Sequence, residues 1–175
     1  MNTNAPMRPG TRAGLMTGFL STLYLSILYI VDKKLVVGPA HQVSYVILMT
    51  GMVWAAFKER ELLGGYIEQK PALIVAFEAF IVGSAILAFF DYVLPAVFDP
   101  TLVDLAKNVE LRQLEEYKDQ YATDKYLLIK REIENRQGGP SFFNTVFLYF
   151  FFTIPGFFVA GIISFFAKKT KVERG

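Results

Sequence analysis

One acid sits where an acid is costly. In the apolar run PALIVAFEAFIVGSAILAFFDYVLPAVF, which begins at Pro71, Glu78 has no charged neighbour for several residues on either side. With Pro71 at an interface, Glu78 lies roughly 10 Å into a helix that rises about 1.5 Å per residue. A carboxylate in hydrocarbon must face protein or water, and such residues often mark ion or proton paths. It can also be protonated, reach back to the interface, or hydrogen-bond a Thr, Ser or Tyr of another helix. Asp91 lies further along the run beside Tyr92, near its far end, where simple hydration accounts for it. The two acids are about 20 Å apart along such a helix, too far to work as paired catalytic carboxylates.

His41 is the only histidine, and the chain has no cysteine. Disulfides, thiolate metal sites, cysteine nucleophiles and zinc sites built on histidine pairs are therefore excluded. A lone histidine at the mouth of an apolar segment is more often solvated or capping than a proton carrier. No phosphate-binding glycine loop and no Ser/His/Asp set is present. No catalytic residue, cofactor or metal site is expected. The net charge of +2 argues against a nucleic-acid partner.

The elements that must position these residues are apolar blocks. The chain has 175 residues, 53% hydrophobic and 15% aromatic, with a mean hydropathy of +0.36. Soluble domains of this length are usually less apolar. The excess is concentrated in runs that approach or exceed the roughly 20 residues needed to cross a bilayer core. The reading is an all-α membrane protein forming a single membrane domain over residues 1–175. Four transmembrane helices are expected at about residues 13–31, 42–57, 71–98 and 141–167, with an extramembrane amphipathic helical hairpin at about 99–140. A signal peptide would have a shorter apolar core and a small-residue cleavage site, so the first span is read as retained.

Each span carries small residues at helical spacing. Gly14, Gly18, Thr22 and Ser26 follow one another at i, i+4, a single stripe on the first. Gly51 and Ala55 mark the second, Ala72, Ala76, Ala79 and Gly83 the third, and Gly156 and Ala160 the fourth. In lipid, close backbone approach at small residues holds helices together. Packing within the chain is the first reading of these stripes and a homodimer face the second. Pro155 predicts a kink in the fourth span.

Between the second and third spans, residues 58–70 form a charged turn broken at Gly64-Gly65. In the polar insert, Asp99-Pro100 predicts a helix start and Thr101-x-x-Asp104 a capping box. Leu102, Leu105, Val109, Leu114, Tyr117 and Tyr121 recur at roughly helical spacing. A second helix is expected after Thr123-Asp124 and a stop at Gly138-Gly139-Pro140. The mixed charges of the insert read as a solvated face. Arg8, Arg12, Lys58, Arg60, Lys70, Lys168, Lys169, Lys171 and Arg174 crowd against helix ends on one side. The positive-inside rule then places both termini in the cytoplasm and the hairpin outside.

This arrangement resembles domain-of-unknown-function family 4199, small inner-membrane proteins of the Bacteroidota. The resemblance is carried by the charged turn at Lys58 to Arg60 and by Leu63-Gly64-Gly65-Tyr66-Ile67. The apolar helix from Ala72, the Asp99-Pro100 boundary with its charged insert, and the last helix ending in Lys168-Lys169 complete it. The resemblance implies a four-span bacterial inner-membrane protein with no assigned activity.

Three functions follow as expectations. The first is a non-catalytic accessory or scaffold subunit that packs on a membrane-protein partner, or on a second copy, through small-residue faces or the hairpin. The second is an oligomeric small-solute or proton-coupled transporter or channel that uses Glu78. The third, a membrane enzyme, would need a cleft gathering His41, Asp91 and hairpin charges.

Overall fold

A computed structural model describes residues 7–136, 138–139 and 141–170. Pro140 of the expected helix stop, and Lys171 and Arg174 of the basic C-terminus, lie outside the described residues. The described chain is helical: α1 (Pro9–Val31), α2 (Lys33–Val37), α3 (Val43–Leu62), α4 (Gln69–Val93), α5 (Thr101–Glu116), α6 (Thr123–Asn135) and α7 (Phe142–Ala167). Four helical segments are long and apolar enough to cross a membrane: Pro9–Val31, Pro39–Leu62, Gln69–Phe98 and Phe142–Ala167.

The boundaries follow local chemistry. Pro9 opens α1 at a first-turn position, where its missing N–H costs nothing. Residues 58–62, four of them charged and all read from sequence as turn, instead extend α3 by more than a turn. They are good helix formers, and Lys58 pairs with Glu61 at 2.9 Å. Reversal waits for Gly64 and Gly65, at φ +78° and +90°, a region that favours glycine. At the far end of α4 the helix widens into a π turn over Leu94–Phe98. Pro95 lies in that turn and has no N–H to give an ordinary helical ladder.

Helix α4 is the hub, packing against α1, α3 and α7. A Cβ on Gly10 would lie 2.7 Å from the Val75 carbonyl oxygen, one on Gly14 2.6 Å from that of Ala79, and one on Gly18 3.0 Å from that of Gly83. Both helices advance by four residues together, so α1 and α4 run parallel with their backbones nearly touching. Only glycine permits this approach. Gly51 meets Thr17 across the α1–α3 contact, and Ala55 packs with Ala13, Val75 and Ala79. Ala72, Ala76 and Ala160 are fully buried in the main core. Gly156 faces the ring of Phe80.

The stripe on α1 needs one correction. Thr22 and Ser26 leave the buried face and turn their hydroxyls back to Phe19 O and Thr22 O of their own helix. The face continues instead through Ser21 and Leu25, both wholly buried. Each i, i+4 step overshoots a 3.6-residue turn by about 40°, so a step of three must intervene. Ser21 then donates to the carbonyl of Ser44, tying α1 to α3.

At one end of the bundle the turn between α3 and α4 is fastened to the end of α7. Ile67 and Lys169 exchange both backbone hydrogen bonds, at 3.0 and 2.9 Å, and Arg60 reaches the Ala167 carbonyl at 3.3 Å. At the other end α5 seats on the bundle through Val36, Leu94 and Leu102. Helix α6 packs back on α5 through Leu114, Tyr126 and Ile133, each such burial worth about 1.5–3 kcal/mol where the alternative is water.

Candidate functional site

The structure sorts the polar side chains into three groups, two of them at the α5 end of the bundle. The first surrounds Glu78 at the opposite end. Because Gly10 lets α1 lie directly on α4, Thr11 comes within reach of Glu78, and its hydroxyl donates to Oε1. Arg8 faces the other oxygen, Oε2, at 3.5 Å. The acid is thus hydrogen-bonded at Oε1 by Thr11 of α1, while Oε2 meets only the charge of Arg8, the residue just before that helix. Sequence reasoning anticipated a Thr, Ser or Tyr partner for Glu78 but not which helix would supply it.

At the α5 end, Asp99 forms a second group that sequence reasoning read only as a helix start. Its Oδ1 accepts from the Thr101 amide at 3.2 Å and the Thr101 hydroxyl at 2.5 Å. Its Oδ2 accepts from the Tyr29 hydroxyl at 2.9 Å and pairs with Lys33 Nζ at 2.5 Å. Thr101 was expected to cap α5 together with Asp104. It is already inside the helix, so the carboxylate of Asp99 serves its amide instead. The Lys33 ammonium, and after it the Thr101 and Tyr29 hydroxyls, hold the Asp99 carboxyl well below the usual carboxylate range. The hydrogen bond to Asp99 raises Lys33 in turn. A buried carboxylate with four donors is a fastening that joins α1, α2 and α5.

The third group pairs His41 with Asp91. Gly38-Pro39 breaks the chain after α2, and residues Pro39–Gln42 form a 3-10 turn. Tyr24 grips that turn from α1, donating to the Ala40 carbonyl at 3.0 Å, and Ser44 donates to the His41 carbonyl at 2.6 Å. The imidazole is thereby aimed at α4, where Nε2–H donates to Asp91 Oδ1 at 3.1 Å. The ring of Tyr45 lies 5.8 Å from that of His41. The sequence placed both residues near one interface but offered no signal that they meet.

The His41–Asp91 pair borders a cavity of about 570 Å³ between the bundle and the α5–α6 pair. Asp104, Lys107 and Arg136 line the same space. Lys107 donates to the Glu134 carbonyl, and Arg136 to Glu110 at 3.0 Å. This is the kind of cleft, gathering His41, Asp91 and charges of the insert, that a membrane enzyme would need. Its walls are largely apolar, with Val36, Leu94, Leu102 and Val103 among them, and the charged side chains of both signs face one volume. Among the described residues there is no group of three or more His, Cys, Asp or Glu able to hold a metal ion.

The candidate small-residue positions divide by location. Gly14, Gly18, Gly51, Ala55, Ala76, Ala79, Gly83, Gly156 and Ala160 all face other helices of the same chain. No curated protein and no solved structure matches the chain. A family model described as "Protein of unknown function (DUF4199)" matches residues 12–169, from the first turn of α1 to beyond α7. The segments that carried the resemblance, residues 63–67 and Lys168-Lys169, come together in the Ile67–Lys169 bridge. The chain belongs to the DUF4199 family.

Proposed function

We propose that this protein is a non-catalytic integral protein of the bacterial inner membrane, acting as an accessory or scaffold subunit. The four long helices are its transmembrane spans, both termini are cytoplasmic, and the α5–α6 pair is an extramembrane hairpin on the opposite face. The observation that carries this reading is the tie between Glu78 and α1. The one acid deep in an apolar run accepts a hydrogen bond from Thr11 of a neighbouring helix and pairs with Arg8 at that helix's start. A carboxylate that hydrogen-bonds a side chain of the next helix ties the two helices together.

The open side of the bundle supports the same reading. Of the most apolar windows of the four spans, that of α7 is the least buried, at 17%. Its exposed residues are largely aromatic, among them Phe143, Phe147, Phe158 and Phe166. Aromatic side chains dominate the energetics of packed interfaces. A membrane-protein partner on this face would complete the burial of α7.

The experiment is gentle extraction from native membranes followed by mass spectrometry of the intact complex. A stoichiometric second polypeptide is the expected result. The reading is overturned if the purified chain alone, in proteoliposomes, carries protons or a small solute and Glu78→Gln abolishes that flux.

A further inference from the structure

The cavity under α5, with its charged side chains, has a neighbour inside the bundle. A second cavity of about 260 Å³ lies between α3, α4 and the first half of α7. Its walls are Tyr45, Phe80, Leu87, Leu148, Tyr149 and Phe152, all on membrane-length helices. The two spaces share Asp91 and Asn144. The share of charged side chains falls across that junction. Beyond it toward the insert the lining carries Asp104, Lys107 and Arg136, and toward the bundle it is aromatic and aliphatic. A largely apolar volume that carries charges of both signs at one end only has the profile of a membrane amphiphile.

We propose that the two cavities form one binding site for an amphiphile bearing a zwitterionic phosphate–amine headgroup. The acyl chain lies between α3, α4 and α7, and the headgroup lies in the cleft under α5. Lys107 and Arg136 take the phosphate. Each has donors to spare, because an ammonium has three and a guanidinium five, and their observed bonds engage only part of that number. Those bonds also hold the two heads in place, which lowers the ordering cost of binding. Asp104, at the start of α5, takes the amine. Asp91 sits at the throat with His41 on one oxygen and sets the depth at which the headgroup stops.

Charge balance selects the headgroup. Asp91 is engaged by His41 and Arg136 by Glu110, which leaves Lys107 and Asp104 as the cation and the anion with no opposite charge of their own around the volume. An anionic headgroup would leave Asp104 unpaired, and a cationic one would leave Lys107 so. The cavity under α5 falls within the size range of small-molecule sites, about 300–1,000 Å³. This site rests on the reading of the four helices as membrane spans and is independent of the accessory role.

The test uses the full-length protein, delipidated in maltoside detergent and titrated by native mass spectrometry. The probes are lysophosphatidylethanolamine, lysophosphatidylglycerol and a monoacylglycerol of the same chain length. The expected result is a single lysophosphatidylethanolamine adduct, at least about tenfold tighter than either other probe, the discrimination expected from one charge-assisted contact. Lys107→Ala with Arg136→Ala should bring it down to the level of the monoacylglycerol. Asp104→Asn should reverse the order of the two phospholipids. Ala88→Phe, which fills the apolar cavity, should weaken all three. Thermal stability of each variant, measured alongside, shows that it is folded. The proposal fails if the three probes bind alike, if the preference survives the Lys107/Arg136 change, or if the adducts are multiple and indifferent to Ala88→Phe. Recovery of the native chain in the soluble fraction after an alkaline wash would instead remove the membrane reading beneath it.

Discussion

Two glycines of α7 should respond in opposite ways to the same methyl group. A Cβ on Gly156 would fall 2.1, 2.5 and 2.6 Å from three ring carbons of Phe80, whereas one on Gly161 meets nothing within 4 Å. Phe80 is 8% exposed and belongs to the main core. Its ring can yield only toward the apolar cavity between α3, α4 and α7, giving up its core packing as it turns. Overpacking of this kind costs about 1–3 kcal/mol. Both substitutions also gain helix propensity, up to about 1 kcal/mol for Gly to Ala, and that gain cancels when they are compared. Gly156→Ala should therefore be less stable than Gly161→Ala by about 1–3 kcal/mol. Gly161→Ala itself should be neutral or slightly stabilising.

The assay is thermal unfolding of the purified variants in one detergent, followed by circular dichroism. At about 2–4 °C per kcal/mol for a chain of this length, the two midpoints should differ by several degrees. A double variant, Gly156→Ala with Phe80→Leu, tests the cause. The smaller, more flexible side chain should relieve the clash, so the double variant should lose less than the two single changes together, with a coupling of about 1–2 kcal/mol. Equal midpoints for the two alanine variants, or strict additivity in the double variant, would refute the packing of α7 on α4 described here.

Other consequences are simpler to state. Glu78→Leu should destabilise the bundle by about 1 kcal/mol through loss of the Thr11 hydrogen bond, while Glu78→Gln retains an acceptor and should lose less; the same unfolding assay decides. Asp99→Asn should loosen the seat of α5, seen as faster amide exchange at the start of that helix. The pH dependence of this fastening follows from its two partners. Asp99 is depressed, so its contribution is complete above the ordinary carboxylate range, about pH 4, and is lost as pH falls toward its folded value. Lys33 is raised, so its contribution is complete below the ordinary lysine range, about pH 10, and is lost only above its folded value. Exchange at the start of α5, corrected for its intrinsic rate, should be flat between those limits and should rise in acid. Lys169→Pro removes the amide that donates to the Ile67 carbonyl and should lower the midpoint without changing helix content.

What the sequence disclosed depends on whether the signal was local. The four long helices were legible because runs nearly free of charge and about a bilayer long admit few other readings. Gly14, Gly18, Ala79 and Gly83 were legible as packing faces, but their pairing was not, since parallel neighbours leave no mark in either helix alone. The end of α3 was misplaced because a change from apolar to charged residues at Lys58 does not end a helix, and α3 runs on to Leu62. Thr22 and Ser26 were overread from a strict four-residue step that a 3.6-residue helix cannot sustain. Asp99 announced a helix start and concealed the ion pair with Lys33. His41 and Asp91 each looked solvated alone. Only the turn held by Tyr24 and Ser44, together with the registry of α4, brings them to one cavity.

The central claim is that the four helices cross a membrane with the α5–α6 pair on the face opposite the α3–α4 turn. The chain has no cysteine, so single cysteines report without background. Leu63→Cys lies in the turn and Gln120→Cys between α5 and α6, and both native residues are exposed. With an impermeant thiol reagent, Gln120→Cys should be labelled in intact cells, once any outer membrane is opened, and Leu63→Cys only after the inner membrane is breached. The reverse pattern would keep the spans and contradict the orientation, and labelling of both from the same side would contradict the architecture itself.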